Sequence, residues 1–317
     1  MTAEPTPAQS THAKRPCGRF APSPTGSLHF GSLVAALASY LHAKHASGQW
    51  LIRIEDLDTA RNVPGAADSI LRDLERFGFE WDGEVIYQSR RIDHYQETIR
   101  LLDDRNLVFR CRCSRKQIAS LGVMGIDGPV YPGTCRNQTV PDHIRHALRL
   151  RIPAWTIEFT DEVQGRSCQR VDRDVGDLVL LRADAVFSYQ LAAVIDDFGQ
   201  GITQIVRGAD LLDSTARQIA IQQLLGYVRP TYLHIPVAVY RRGLKLSKRL
   251  QAQAIAERPP TETLGHALQY LGQPLPEDAA KMSPKTLLQW AVLHWQPAAI
   301  PRKREVVMGA SAEDCMR

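Results

Sequence analysis

Long apolar runs are missing from this 317-residue chain: stretches such as LVAALASYL at 33–41 fall far short of the roughly 18 uncharged positions that a bilayer span requires. No membrane-spanning helix is expected. The first 16 residues, MTAEPTPAQSTHAKRP, lack the apolar core of a secretion signal, and their Pro, Thr and Ala content reads as a flexible leader over 1–16. A cytoplasmic location is the expectation. No internal repeat is visible. Neither sign of charge dominates: 39 basic against 34 acidic residues leave +5, which favours polyanionic partners without identifying one. With 44% apolar and 23% charged residues, the chain can bury one large core or two moderate ones.

Cysteine is also sparse, at six residues, but its spacing is uneven. Cys111 and Cys113 form a C-x-C pair and Cys135 lies 22 residues beyond. In a reducing compartment, thiols this close point to metal binding before disulfides. Tetrahedral zinc wants four ligands, and the cysteines supply three. Cys17, Cys168 and Cys315 have no partner at such spacing and read as ordinary thiols.

Along the chain, SLVAALASYLHAKHASG carries apolar residues at helical spacing and stops at Gly48, and WLIRIEDLD at 50–58 reads as a buried strand ending in acidic residues. Strand, turn, helix and strand in that order predict a parallel α/β layout. Pro64 opens the helical PGAADSILRDLERFGF, and RIDHYQETIRLLDDRNL at 91–107 predicts an amphipathic helix with Leu101 and Leu102 on its apolar side. From Val108 to about Arg151 the alternation breaks: the cysteines, the glycine-rich GVMGIDGPVYPGTC and the alternating HALRLRIP predict an insertion with its own small sheet. Alternation then resumes. GDLVLLRADAVFSYQLAAVIDD is strand-like, QIVRGADLLDSTARQIAIQQLLG passes from strand to helix through Gly208, and the strand TYLHIPVAVY precedes a basic loop, RRGLKLSKRL. Helical stretches near 262–271 and 283–294 occupy the 68 residues after Arg249.

Two segments carry chemistry. RFAPSPTGSLHFG at 19–31 sets a stiff, glycine-punctuated turn between a strand and a helix N-terminus, where unpaired N–H groups and the positive dipole end suit a phosphate. The prolines stiffen the approach, Gly26 and Gly31 let a nucleotide come close to the backbone, and His29 stands where it can donate to phosphate oxygens. In GLKLSKRL, Lys245 and Lys248 flank Ser247; a cationic loop of this kind neutralises charge developing on a transferring phosphoryl group. Read separately, the first segment is equally an ordinary turn with an interior histidine, and the second a solvated basic surface.

Together they resemble the paired signatures of class I aminoacyl-tRNA synthetases, HFGS at 29–32 standing for the His-Ile-Gly-His element and KLSKR at 245–249 for the Lys-Met-Ser-Lys-Ser element. Ser32 and Arg249 depart from the last residue of each. RFAPSPTGSLHFGSLVAAL, RIEDLD and VRGADLLDSTARQ resemble the glutamyl branch of the class, over roughly residues 17–250. Glutamyl-tRNA synthetases continue into a long helical anticodon-binding region that 68 residues cannot hold. The chain therefore resembles the truncated paralogues that attach glutamate to the queuosine base at the wobble position of tRNA(Asp).

The resemblance implies activation of L-glutamate by ATP, accompanied by magnesium, to glutamyl-adenylate, followed by transfer to tRNA(Asp) carrying queuosine. It makes His29, Lys245 and Lys248 catalytic and assigns ATP to Pro22, Gly26, His29, Gly31, Ser32, Ser247 and Lys248. It assigns glutamate to Arg19, Ser23, Glu55, Tyr189 and Arg207, with Glu55 on the substrate ammonium and the arginines on carboxylates. It also supplies the fourth ligand of one structural zinc, Tyr131, giving Cys111, Cys113, Tyr131 and Cys135 in the pattern C-x-C-x(17)-Y-x(3)-C.

The expected architecture is an α/β, Rossmann-type parallel-sheet nucleotide-binding domain in two halves, 17–107 and 152–250. A zinc-binding insertion at 108–151 meets the acceptor RNA, and a short helical C-terminal region fills 251–317. A monomer is expected. A small glutamyl-tRNA synthetase charging the 3′ end of tRNA(Glu) is disfavoured by the short C-terminal region. An inactive RNA-binding paralogue is disfavoured by His29, Lys245 and Lys248, and another adenylate-forming ligase by the cysteine insertion and the arginine pair.

Overall fold

The computed structural model describes residues 15–126, 128–241, 244–245, 255 and 258–307. Strand β1 (Cys17–Phe20) runs through the turn into α1 (Phe30–His45) and returns in β2 (Gln49–Ile54); α2 (Ala66–Arg76), β3 (Ile86–Tyr87) and α3 (Ile92–Asp104) follow. The inserted region holds β4 (Val108–Cys111), α4 (Arg115–Leu121), the short pair β5 (Met124–Gly125) and β6 (Gly128–Pro129), and β7 (Ala147–Leu150). Next come β8 (Thr156–Asp161), β9 (Gly165–Arg170), α5 (Val171–Asp174), β10 (Leu178–Leu181), α6 (Tyr189–Gly199), β11 (Gln204–Gly208), α7 (Thr215–Leu225) and β12 (Thr231–Ile235). The chain continues in β13 (Val237–Arg241), β14 (Leu244–Lys245), α8 (Pro260–Tyr270), α9 (Pro284–Leu293) and β15 (Glu305–Val307).

Strands β1, β2 and β3 pair in parallel, as do β11, β12 and β8. The two sheets meet where the Thr203 N–H donates to the Cys17 carbonyl and the Cys17 N–H to Thr203 Oγ1, both at 2.9 Å. The resulting order, β3-β2-β1 then β11-β12, reverses its direction of winding between β1 and β11. Such a reversal opens a crevice at the carboxyl ends of the strands, where α/β folds bind ligands. Helix α1 fits its buried place because its sequence is small and apolar: Leu33, Ala36, Leu37, Ala38, Leu41 and Ala43 are fully buried, between β1 and β11 on one side and α8 and α9 on the other.

Several expectations are corrected. Helix α1 stops at His45, and the reversal falls on Ser47 at φ 55°. Gly48 is needed for space, since a Cβ there would lie 2.5 Å from the Pro16 carbonyl oxygen. Only Leu102 of the 101–102 pair is buried; Leu101 is 43% exposed. The strand-like stretch at 176–197 divides into β10 and α6, because Ala185 turns at φ 63° and Ser188 caps the new helix by accepting from the Leu191 N–H. Pro236 separates β12 from β13. The sheet of the insertion takes its third strand from β10, beyond residue 151, in the order β10-β7-β4. The C-terminal region adds a strand to its helices, β15 running parallel to β13. Of the 1–16 leader, residues 1–14 lie outside the described residues. No helix among the described residues is long and apolar enough to cross a membrane.

Candidate active site and cysteine cluster

A cleft of about 810 Å³ opens at the β1–β11 crevice, within the range of small-molecule sites, roughly 300–1,000 Å³. Its walls include Arg19, Pro22, Ser23, Gly26, His29, Gly31, Ser32, Glu55, Tyr189 and Arg207, so residues read from distant parts of the sequence converge on one space. Ser247 and Lys248 lie outside the described residues. Of Lys245 only the backbone is described, paired with Val239 in β13, next to the cleft-lining Val237 and Ala238.

On the helix side of the cleft, the main-chain turn sets the geometry. Gly26 sits at φ 138°, a conformation that side chains rarely tolerate. His29 is the N-cap of α1, its Nδ1 accepting from the Ser32 N–H at 3.2 Å while Ser32 Oγ lies 3.1 Å from Nε2. A Cβ on Gly31 would touch the imidazole at 3.4 Å, so glycine keeps that ring's surroundings open. The α1 N-terminus thus sets its positive dipole end at the cleft, which His29, Gly31 and Ser32 line.

On the other side lies a buried charge network. Asp197, on α6, accepts from Arg19 at 3.0 Å and from Arg53 at 2.7 Å. Arg53, fully buried on β2, also donates to Glu55 at 3.3 Å, while Asp196 accepts from Arg91 at 2.6 Å, from Gln88 and from Tyr95. Burial would push Asp197 up, but the two arginines hold it below the usual carboxylate range. Burial dominates at Glu55 and pushes its carboxyl up against the pull of Arg53 and Arg19. The formal charges of Arg19, Arg53 and Arg91 cancel those of Glu55, Asp196 and Asp197. Arg207 is different: its guanidinium donates to His234 Nε2 at 2.9 Å, Gln218 Oε1 at 2.8 Å, Thr215 Oγ1 at 3.0 Å, Tyr189 Oη at 3.3 Å and the Leu211 carbonyl at 3.4 Å, all neutral acceptors. Among the described residues no carboxylate pairs with it directly, so its charge is held by neutral groups alone at the wall of the cleft.

Sequence reading missed Arg53, Asp161, Asp196, Asp197 and His234. For Arg53, Asp196 and Asp197 a signal existed: charged residues inside the apolar LIRI and VIDD must be paired if buried.

The second cluster lies in the small core of the insertion, which packs Phe109, Cys111, Tyr131, Cys135 and Val140. The three sulfurs of Cys111, Cys113 and Cys135 lie within 4.8 Å of one another. Sulfurs about 2.3 Å from a tetrahedral zinc stand about 3.8 Å apart, and the Cys113–Cys135 separation is 3.6 Å. The Tyr131 hydroxyl turns toward the same point, 4.0 Å from Cys113 Sγ, and accepts from the Cys135 N–H at 2.7 Å. Three thiols can hold a metal ion here, and the donor set suits a thiophilic one.

The family model for the catalytic domain of class I tRNA synthetases (E and Q) matches residues 17–263. A glutamyl-Q tRNA(Asp) synthetase of Dechloromonas aromatica is 52% identical over 295 residues, covering 92% of this chain and 98% of its own. One of Aromatoleum aromaticum is 49% identical over 286 residues, covering 90% of each. The crystal structure of the glutamate-tRNA synthetase of Elizabethkingia anophelis superposes with a TM-score of 0.76 at 22% identity, over 94% of this chain and 69% of that one, a likeness of fold. The crevice geometry, the matched catalytic domain and the extent of identity agree: the chain belongs to the class I tRNA synthetase family, in its glutamyl-Q tRNA(Asp) synthetase branch.

Proposed function

We propose that the chain activates L-glutamate with ATP, without tRNA, and transfers the glutamyl group to the queuosine base at the wobble position of tRNA(Asp). The observation that carries this reading is a single cleft walled by the α1 N-terminus with His29 on one side and by Arg19, Glu55, Tyr189 and Arg207 on the other. Relatives sharing 52% and 49% identity over nine tenths of the chain are named for that reaction, which supports the choice of acceptor.

In the first step an oxygen of the glutamate α-carboxylate attacks the ATP α-phosphorus, and the bond to the leaving pyrophosphate breaks. In the second, an acceptor hydroxyl attacks the acyl carbon and AMP departs. No protein nucleophile is required; positioning and charge neutralisation do the chemistry. The turn at Pro22, Gly26, Gly31 and Ser32, with His29, takes the triphosphate of magnesium-bound ATP. Lys248, with Ser247 and Lys245, neutralises its developing charge. Glu55 takes the substrate ammonium, Ser23 and Tyr189 offer hydroxyls, and Arg19 and Arg207 take carboxylates. Arg207, which has no acidic partner among the described residues, offers the more attractive potential of the two.

Cys111, Cys113, Tyr131 and Cys135 would hold one structural zinc, tying down the 108–151 insertion between the catalytic halves 17–107 and 152–250. The region 251–317 would be a short helical C-terminal region. Labelled glutamate supplied with ATP and three acceptors tests the assignment. Label is expected on tRNA(Asp) carrying queuosine, and not on tRNA(Asp) lacking it or on tRNA(Glu). Label on tRNA(Glu) alone overturns it.

A further inference from the structure

We infer that Asp161 and His234 form a relay that orients Arg207 for glutamate, making both positioning residues for the activation step. This rests on the proposed reading of the cleft as a glutamate site. His234 lies on β12, directly opposite Arg207 on β11 in the parallel register, and both side chains are buried. Arginine can only donate, so the 2.9 Å contact from Arg207 Nε to His234 Nε2 requires a lone pair on that nitrogen. The ring proton must then sit on Nδ1, where it is donated to Asp161 Oδ2 at 2.6 Å. Asp161 is itself fixed, because its Oδ1 accepts from the backbone N–H groups of Val163 at 3.0 Å, Gln164 at 2.8 Å and His234 at 3.2 Å. Each link therefore dictates the next: backbone amides set the carboxylate, the carboxylate sets the tautomer, and the tautomer presents an acceptor to Arg207.

Neutrality of the imidazole is what allows this. Burial pushes His234 down to about 4 despite the hydrogen bond to Asp161, and Arg207 adds to the depression. A neutral ring orients Arg207 without cancelling its charge, which a carboxylate in the same place would do. Asp161 stands one imidazole further back, so the cationic field stays directed at the cleft.

Asp161→Asn tests the relay with little change of shape. The three backbone donors hold the amide oxygen at the Oδ1 position, leaving the amide N–H facing His234 Nδ1. That reverses the tautomer and sets an Nε2–H against the Arg207 Nε–H. In tRNA-free, glutamate-dependent ATP–pyrophosphate exchange, the Asp161→Asn variant should show a glutamate KM raised about tenfold to a hundredfold, the loss expected for a hydrogen bond to a charged group. Its KM for ATP should stay within about twofold of the wild type. His234→Gln, whose amide oxygen can accept from Arg207, should recover most of the glutamate affinity that His234→Leu loses. Asp161→Asn and His234→Leu variants that both fold and keep the wild-type glutamate KM overturn the relay. A wild-type protein with no exchange activity instead overturns the underlying reading of the cleft.

Discussion

At the scale of single residues, Asp197 is the point on which the charged side of the cleft turns, since it accepts from both Arg19 and Arg53. Removing it leaves two buried guanidiniums short of an anion, so Asp197→Ala should cost about 3–5 kcal/mol. Urea denaturation measures this; a loss below about 1 kcal/mol would mean that water or backbone groups replace the carboxylate. Arg19, Glu55, Tyr189 and Arg207 were legible in the sequence because they stand in recognisable segments, and the structure lines one cleft with them. The partners of Asp197 and His234 were not, because they lie 178, 144 and 27 residues away and no local pattern says which residue pairs at that distance.

Among the elements, the unit β1, turn, α1 and β2 was the most legible, for a physical reason. A stiff turn, a small-residue helix and an apolar strand each favour the same local structure, and the parallel pairing of β1 with β2 follows from the crossover. The stretch at 176–197 was less legible, because its apolar residues run on through the turn at Ala185 and periodicity alone does not separate strand from helix. Close packing at the α1–β2 connection gives a sharp prediction. Gly48→Ala brings a Cβ to 2.5 Å from the Pro16 carbonyl oxygen and 2.8 Å from that of Ala43, backbone atoms that cannot swing aside. The variant should lose about 1–3 kcal/mol, read as a lowered Tm. A Tm unchanged from the wild type would show that the connection relaxes freely.

For the molecule as a whole, two buried histidines link stability to pH. Burial pushes both His42 and His234 down to about 4 from an ordinary 6.5. The unfolded chain protonates each near 6.5 and the folded chain only near 4, so this contribution is complete above the upper value and is lost as pH falls toward the lower. Within that window each histidine adds a slope of about 1.4 kcal/mol per pH unit. His42→Gln, which keeps an acceptor for the Trp295 indole N–H, should lose measurably less stability than the wild type between about pH 7 and pH 5 in urea titrations. Equal losses in the two proteins would contradict the assignment to His42. In the proposed activation, one cleft joins two half-sites, one for a triphosphate and one for glutamate. Exchange of labelled pyrophosphate into ATP by the full chain, with no tRNA present, reads out that joining. Exchange should depend on glutamate and should not be supported by glutamine; exchange that ignores glutamate, or none at all, would rule out a joint site.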